Sequence, residues 1–222
     1  TLERGVGCMP ETISSYEDLM QILLQKTEIA NDPVLIGITG PPASGKSTLA
    51  QRLVGDLNLL GINACFCPMD GFHLTNEKLE ELGLMDAKGR IDTFDADAFV
   101  NSVKRLRDRG PFWWPIYSRT RHDPILEGVN ITGSETVFII EGNYLLTNGE
   151  PWSSLGDQFD LSVFIDVSND VIKQRLMERH KISGRSSEQA IKKINSTDMV
   201  NAEFIRQGKQ FANILLGEAF HV

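Results

Sequence analysis

Short, mostly apolar runs alternate along this chain with segments whose apolar residues recur at helical spacing. The apolar runs predict five buried strands, at residues 34–40, 62–68, 135–142, 160–167 and 211–217. Near-continuous apolar strands that alternate with helices are typical of a parallel sheet covered on both faces. The pattern therefore predicts an α/β fold with three layers.

The segments with helical spacing carry signals for where each helix begins or ends. Ser14 and Glu17 predict a capping box at the start of the first helix, and Gly61 predicts the end of the second. Asp95 is a candidate cap for the third, in which Phe99 and Val103 share one apolar face. The four helices are predicted to begin near residues 16, 47, 96 and 169.

The residues between the first predicted strand and the second predicted helix read GPPASGKST. They match the phosphate-binding pattern G-x-x-x-x-G-K-[ST] in the strand-to-helix context that this motif requires. Backbone N–H groups of such a loop bind phosphate groups together with the helix N-terminus. Lys46 is predicted to reach the β- and γ-phosphates, and Ser47 to bind Mg²⁺. The predicted nucleotide-binding residues are Gly40, Ala43, Ser44, Gly45, Lys46, Ser47 and Thr48.

Two further predicted strands are followed by or end in acidic residues, Asp70 and Glu141. Because ligands bind at the carboxyl ends of the strands in such sheets, both acids are expected beside the phosphate loop. Phosphoryl transfer needs an acceptor for the proton of the attacking hydroxyl and ligands for the metal. Asp70 is the candidate base and Glu141 the candidate metal ligand, with a strand-end turn or a helix cap as the alternative for each. The short chain and the absence of an N-K-x-D tetrad favour a small kinase over a GTPase.

The composition of the chain limits which partners and which cellular location we expect. The formal net charge of -8 disfavours a nucleic-acid-binding surface. Residues 101–122 and 171–185 are nevertheless rich in Lys and Arg, which indicates either local anion binding or solvated helix faces. No apolar run approaches the roughly 20 residues that span a bilayer, and the start of the chain lacks a signal-peptide core, so no membrane partner is expected. Three cysteines do not suggest a disulfide framework, and a cytoplasmic location is expected.

Five motifs follow one another as GPPASGKST, MDGFHL, KGRIDTFDADAF, PIYSRTRHDPI and FIIEGNYLL. This ordered set resembles the phosphoribulokinase and uridine kinase family, and in particular its pantothenate-kinase branch. The likeness covers about residues 34–216. It implies a five-stranded parallel sheet in the order 2-3-1-4-5, ATP with Mg²⁺ as cofactors, and phosphorylation of a hydroxyl group on a small molecule. Members of this group are often homodimers.

The same resemblance implies roles for single residues. Asp70 matches the catalytic aspartate and Tyr117 an acceptor-site tyrosine, while Glu141 matches the glutamate of the EG motif. Arg175 and Arg179 match the arginines of a lid, at about residues 171–190, that closes over the phosphates. The predicted catalytic residues are Asp70, Lys46, Arg175 and Arg179. The implied organisation is a kinase domain at residues 33–222, with a helix within residues 1–32 that packs on its core.

The acceptor is the least defined part of the prediction. Asp70, His73, Tyr117, Arg119 and His122 are the candidate contacts. Pantothenate kinases carry a histidine where this chain has Arg119, and a guanidinium suits a carboxylate, phosphate or polyol. The expected acceptor is therefore a small polar metabolite, anionic or sugar-like. A uridine, other nucleoside or pantothenate kinase stays open, as does a non-catalytic ATP-binding regulatory protein.

Overall fold

The computed structural model describes residues 9–217 and has the predicted α/β architecture. Within this range the strands are β1 (Glu11–Ile13), β2 (Val34–Thr39), β3 (Ala64–Pro68), β4 (Phe112–Ser118), β5 (Asp123–Ile131), β6 (Val137–Glu141), β7 (Leu161–Ile165) and β8 (Ile214–Leu216). The α-helices are α1 (Tyr16–Ile29), α2 (Lys46–Leu59), α3 (Asn76–Glu81), α4 (Ala96–Arg105), α5 (Asn169–Ile182), α6 (Ser187–Lys193) and α7 (Met199–Arg206).

Six strands form one parallel sheet in the order β3-β6-β2-β7-β8-β1. The five strands predicted from the apolar runs occupy the predicted order, which is confirmed. The strand count was wrong by one, because β1 adds at the edge beside β8. Of its three residues, Glu11 and Thr12 are polar and exposed and only Ile13 is buried, so β1 produces no apolar run in the sequence.

The central strand β2 shows why its residues are apolar throughout. Leu35 packs into one hydrophobic cluster, whereas Ile36 and Ile38 pack into another. Successive side chains of a strand point to opposite faces, so both faces of this sheet are covered. The face that carries Ile36 and Ile38 is covered by α1, α2 and α5, and the face that carries Leu35 is covered by α4, α7 and the β4–β5 hairpin.

The first helix is capped one residue later than predicted. Ser15 lies at the N-cap of α1, and its side chain accepts a hydrogen bond from the backbone N–H of Asp18 at 3.0 Å. Leu19 and Leu23 of this helix are fully buried in the core. The helix thus packs on the core, while the division of the chain at residue 33 stays a prediction. Residues 1–8 and 218–222 of the two predicted units lie outside the described residues.

The antiparallel β4–β5 hairpin was not predicted from the sequence. Each strand contains a proline, Pro115 or Pro124, and the register shifts between Trp114 and Ile116. Proline removes a ladder hydrogen bond and is typical of bulges and edge strands, so the segment lacks a regular strand pattern. The hairpin packs against the turn that follows β3, and it thereby forms one wall of the candidate site.

The helices also differ in detail from their predicted bounds. The third predicted helix is α4, whose cap is Asp95 as expected, with its carboxylate accepting from the N–H of Ala98 at 3.0 Å. The short helices α3, α6 and α7 were missed. Between residues 9 and 217, no helix is long and apolar enough to cross a membrane.

Candidate active site

The phosphate loop connects β2 to α2 and has the backbone geometry that the motif requires. Gly40, Ala43 and Gly45 have φ angles of 148°, 60° and 101°, all in the region that favours glycine. A Cβ on Gly40 would lie 2.6 Å from the carbonyl oxygen of Ile165, so this position excludes a side chain. Thr48 is exposed at the start of α2, and Ser47 is half-buried beside it.

Lys46 and Ser44 lie inside the loop with little contact to solvent. The Lys46 ammonium donates to the carbonyl of Pro41 at 2.8 Å. Burial lowers the pKa of Lys46, and the nearby Glu141 and Asp70 carboxylates partly oppose this. The buried Ser44 hydroxyl has no hydrogen-bond partner within the described part of the chain. A buried donor of this kind is costly to leave unpaired, and a bound phosphate oxygen would satisfy it.

Glu141 ends β6, between the strand of the phosphate loop and the strand that leads to Asp70. In the sheet register it lies opposite Ile38 on one side and Pro68 on the other. Its carboxylate accepts from the Ser47 hydroxyl at 3.2 Å. Burial raises the pKa of Glu141 to about 7, although the positive charge of Lys46 acts in the opposite direction.

Asp70 follows β3 in a short 3₁₀ turn, Met69–Phe72. Its charge raises the pKa of both Lys46 and Glu141, so the three charged groups lie close enough to interact. No described residue forms a hydrogen bond or ion pair with the Asp70 carboxylate. An uncommitted carboxylate beside a phosphate loop is free to accept a proton from a bound hydroxyl.

Gly71 and Trp114 hold the Asp70 turn against the hairpin. A Cβ on Gly71 would lie 2.0 Å from the carbonyl oxygen of Pro115, so glycine is needed for close approach to β4. The indole N–H of the fully buried Trp114 donates to the carbonyl of Pro68 at 3.0 Å. Trp114 is thus a core residue, whereas its neighbour Trp113 is half-exposed.

His73 and Tyr117 form an aromatic wall next to Asp70. Their ring centroids are 4.9 Å apart, and the ring centroid of Phe94 lies 4.0 Å from that of His73. Nδ1 of His73 lies 2.9 Å from the Asp70 carbonyl oxygen. Burial lowers the pKa of His73, which favours its neutral form. Burial and the charge of Asp70 raise the pKa of the Tyr117 hydroxyl, so it stays protonated.

Arg119 and His122 lie in the exposed loop that joins β4 to β5. The charge of Arg119 lowers the pKa of Glu141, so its guanidinium faces the same region as the acids. His122 adopts a φ of 53°, and its carbonyl accepts from the Lys88 ammonium at 2.6 Å. The His122 side chain forms no hydrogen bond, ion pair or ring contact with any other described residue. Its predicted contact with an acceptor stays a prediction.

The two predicted lid arginines face the phosphate loop from α5. Arg175 Nη1 donates to the carbonyls of Ala43 and Ser44, each at 3.2 Å. The charge of Arg179 lowers the pKa of Lys46, so this side chain also lies near the loop. Both arginines are exposed. Their contact with phosphate oxygens and the lid motion stay predictions.

A magnesium ion fits the donor set at Ser47 and Glu141. Over residues 9–217 there is no cluster of three or more His, Cys, Asp or Glu that would enclose a metal. Mg²⁺ bound with nucleotide phosphates needs only one or two protein oxygens besides phosphate and water. The Ser47 hydroxyl and Glu141 carboxylate provide such a pair, and the unpaired Ser44 hydroxyl suits the phosphate.

Lys88 is a residue at this site that sequence reasoning missed. It lies in the KGRID segment, and its ammonium is 5.1 Å from the centroid of the Tyr117 ring. In the sequence this segment indicates only the family resemblance. Its contacts with the hairpin loop join positions far apart in the chain, so no local pattern reveals them.

Comparison with known proteins places the chain among small kinases. The model of the Phosphoribulokinase / Uridine kinase family matches residues 35–218. A Schizosaccharomyces pombe protein named "Putative uridine kinase C227.14" is 32% identical over 215 residues, which cover 92% of this chain and 91% of that protein. The crystal structure of a "putative fructose transport system kinase" from Silicibacter sp. TM1040 has 32% identity and a TM-score of 0.83, covering 89% of this chain and 97% of that one.

Pantothenate kinases match a smaller part of both chains. The enzyme of Lactococcus lactis subsp. cremoris (strain MG1363) is 29% identical over 163 residues. The match covers 71% of this chain and 52% of that enzyme. The chain therefore spans about half the length of this relative.

Proposed function

Because the chain belongs to the phosphoribulokinase/uridine kinase family, we propose that it transfers the γ-phosphoryl group of MgATP to a hydroxyl of a small polar metabolite. Membership makes it a P-loop small-molecule kinase, that is, a phosphotransferase with an alcohol group as acceptor. The proposal adds the donor, the metal and the chemical character of the acceptor.

One observation supports the proposal most directly: Lys46, Glu141 and Asp70 converge at the ends of three neighbouring parallel strands. The ammonium and the loop N–H groups bind the phosphates. Asp70 accepts the proton of the acceptor hydroxyl as its oxygen bonds to the γ-phosphorus. The bond from that phosphorus to the β,γ-bridging oxygen breaks, and ADP leaves.

Charge neutralisation is the other part of the reaction, because the transferred group spreads negative charge over its oxygens. Arg175 and Arg179 add positive charge from the side of α5. Mg²⁺, when bound, neutralises phosphate charge, with Ser47 and Glu141 as its protein-side oxygens. A bound cation also favours the ionised form of Glu141, whose pKa is otherwise near 7.

The surroundings of Asp70 support an acceptor that is polar and anionic or sugar-like. His73 and Tyr117 offer half-buried polar groups on aromatic rings, and Arg119 adds positive charge beside them. A guanidinium forms two parallel hydrogen bonds with a carboxylate or phosphate group. A nucleoside is the second candidate, on the ground that the S. pombe relative is named as a uridine kinase.

The test is an acceptor screen read by ADP release. Matched pairs separate charge from shape: gluconate against glucose, and glycerate against glycerol, with uridine and pantothenate as further arms. We expect ADP release that depends on one acceptor, with the anionic member of a pair preferred. ADP release that no acceptor increases would instead support a regulatory ATP-binding protein.

Asp70→Asn tests the assigned base. The amide cannot take a proton, so turnover should fall by about 10²–10⁴-fold while the Kd of a fluorescent ATP analogue stays near the wild-type value. Asp92→Asn is the matched control, since Asp92 is an exposed partner of Arg90. Wild-type turnover in the Asp70→Asn protein would refute the assignment of Asp70.

A further inference from the structure

The segment between α3 and α4, residues 82–95, is held from the side of the α6 and α7 helices and from the end of β6. The Gly89 carbonyl accepts from the hydroxyl of the fully buried Tyr144 at 2.7 Å and from the amide of Asn201 at 3.1 Å. The Lys193 ammonium of α6 donates to the Asp86 carbonyl at 3.2 Å. Tyr144 lies three residues after Glu141, so the segment is anchored to the turn that follows β6.

Lys88 extends from this anchored segment to the loop of the β4–β5 hairpin. Its ammonium donates to the side-chain oxygen of Asn76 and to the His122 carbonyl, each at 2.6 Å. The same ammonium lies 5.1 Å from the centroid of the Tyr117 ring, within the range of a cation–π contact. All three contacts converge on one half-buried amine.

The hairpin loop that Lys88 contacts is short and otherwise exposed. Ser118 and Asp123 form its last strand pair, and residues 119–122 form the connection. Asp123 accepts from the backbone N–H of Asn76 at 2.8 Å, a second link between the same two regions. Arg119, the candidate anion-binding residue, is one of the four connecting residues.

We propose that Lys88 is a positioning residue that tethers the β4–β5 loop to the segment at residues 82–95, and so holds Tyr117 and Arg119 over the acceptor side of Asp70. Two of its three N–H donors bond to Asn76 and His122, so Lys88 orients the hairpin loop and does not bind a ligand directly. Its effect on acceptor binding rests on the proposed function. The tether itself does not, and it can be tested without any substrate.

Limited proteolysis of the full-length protein reports on the tether directly. Trypsin cleaves after Arg119 and Arg121, which both lie in the exposed loop. Lys88→Met keeps most of the apolar stem and removes the ammonium, so cleavage at these two sites should become roughly tenfold faster as the loop opens locally. Arg90→Ala is the matched control, because Arg90 lies in the same segment but pairs only locally with Asp92.

Further variants show whether faster cleavage comes from loss of the Lys88 contacts or from a general destabilisation of the fold. Lys88→Arg retains a charge and donors, so it should restore slow cleavage in part. Asn76→Ala removes one acceptor of the ammonium and should accelerate cleavage less than Lys88→Met. Unchanged cleavage in Lys88→Met, or equal acceleration in Arg90→Ala, would overturn the proposal.

Two more measurements distinguish orientation from structural damage. Lys88 is among the groups that lower the pKa of His73, so the NMR titration of the His73 ring should shift to higher pH in Lys88→Met. With the acceptor found in the screen, its KM should rise about tenfold while the KM for ATP changes by less than about twofold. Equal losses for both substrates would contradict the role, whereas failure of the screen would leave the cleavage and titration results to decide it.

Discussion

At the scale of single residues, Glu141 shows how burial sets the chemistry of the site. Its carboxylate has a pKa near 7 because burial disfavours the charged form more than Lys46 and Ser47 favour it. The unfolded chain exposes the same carboxylate to water, where its pKa is near 4.3. The folded protein without ligands therefore binds a proton at Glu141 over a pH range in which the unfolded chain does not.

This difference predicts how stability depends on pH. Because the folded-state pKa is raised, the contribution of Glu141 is fully present below the unfolded pKa and is lost as pH rises through about 7. Glu141→Gln removes the titration, so the stability of the wild type should fall relative to this variant as pH rises through the range of roughly 4.5 to 7.5. Urea unfolding of both ligand-free proteins at several pH values measures it, and parallel pH profiles would contradict it.

The sequence predicts those site residues that a motif or a strand end identifies, and it misses those that depend on contacts between distant parts of the chain. Lys46, Ser47, Asp70 and Glu141 follow strands or open a helix, so motif and topology together bring them to one edge of the sheet. Lys88 depends on contacts with Asn76 and His122, which no local spacing encodes. Lys88 comes close to the site only when the β4–β5 hairpin has packed in the folded protein.

At the scale of elements, the β4–β5 hairpin links the hydrophobic core to the acceptor side. Trp114 lies 5.1 Å from Phe72 and 5.9 Å from Phe99, measured between ring centroids, and its N–H donates to the Pro68 carbonyl. Pro68 precedes Asp70 by two residues. The core packing of one strand therefore sets the position of the proposed base.

Trp114→Phe tests this link. It removes a buried hydrogen bond and leaves a cavity, so the free energy of unfolding should fall by about 2–4 kcal/mol, and turnover should fall because Asp70 loses its support. Trp113→Phe is the control at the neighbouring, half-exposed position, where we expect a change within about 0.5 kcal/mol. Urea unfolding and ADP release measure both effects, and equal losses in the two variants would argue against the link.

The sequence predicted five of the six strands of the sheet but neither β1 nor the hairpin, for a physical reason. Strands buried on both faces are apolar at every position, and this signal does not depend on distant contacts. The hairpin strands are mostly half-buried and interrupted by Pro115 and Pro124, so their pairing is set by tertiary packing. β1 gains its stability from β8, which lies almost the whole length of the chain away.

At the scale of the whole molecule, the proposed nucleotide site is built from the core of the fold. A ligand that binds only the folded state stabilises it by mass action. MgATP at one hundred times its Kd should therefore raise the free energy of unfolding by about 2.7 kcal/mol. Thermal and urea unfolding with and without MgATP measure this increment.

Lys46→Ala should lose most of the increment at the same MgATP concentration, because its ammonium faces the phosphate-binding loop. Lys104→Ala, at an exposed position on α4, is the matched control and should keep it. An equal increment in the wild type and the Lys46→Ala protein would show that nucleotide binds elsewhere.

The order of the strands has a consequence for synthesis of the protein on the ribosome. β2 and β3 carry the phosphate loop and lead to Asp70, yet they are not neighbours, because β6 lies between them. A nascent chain that has emerged only through Asp70 lacks the strand that sets the spacing of the two. The phosphate loop and the proposed base therefore align only after β6, which ends in Glu141, has left the exit tunnel, and a chain truncated before β6 should transfer no phosphoryl group.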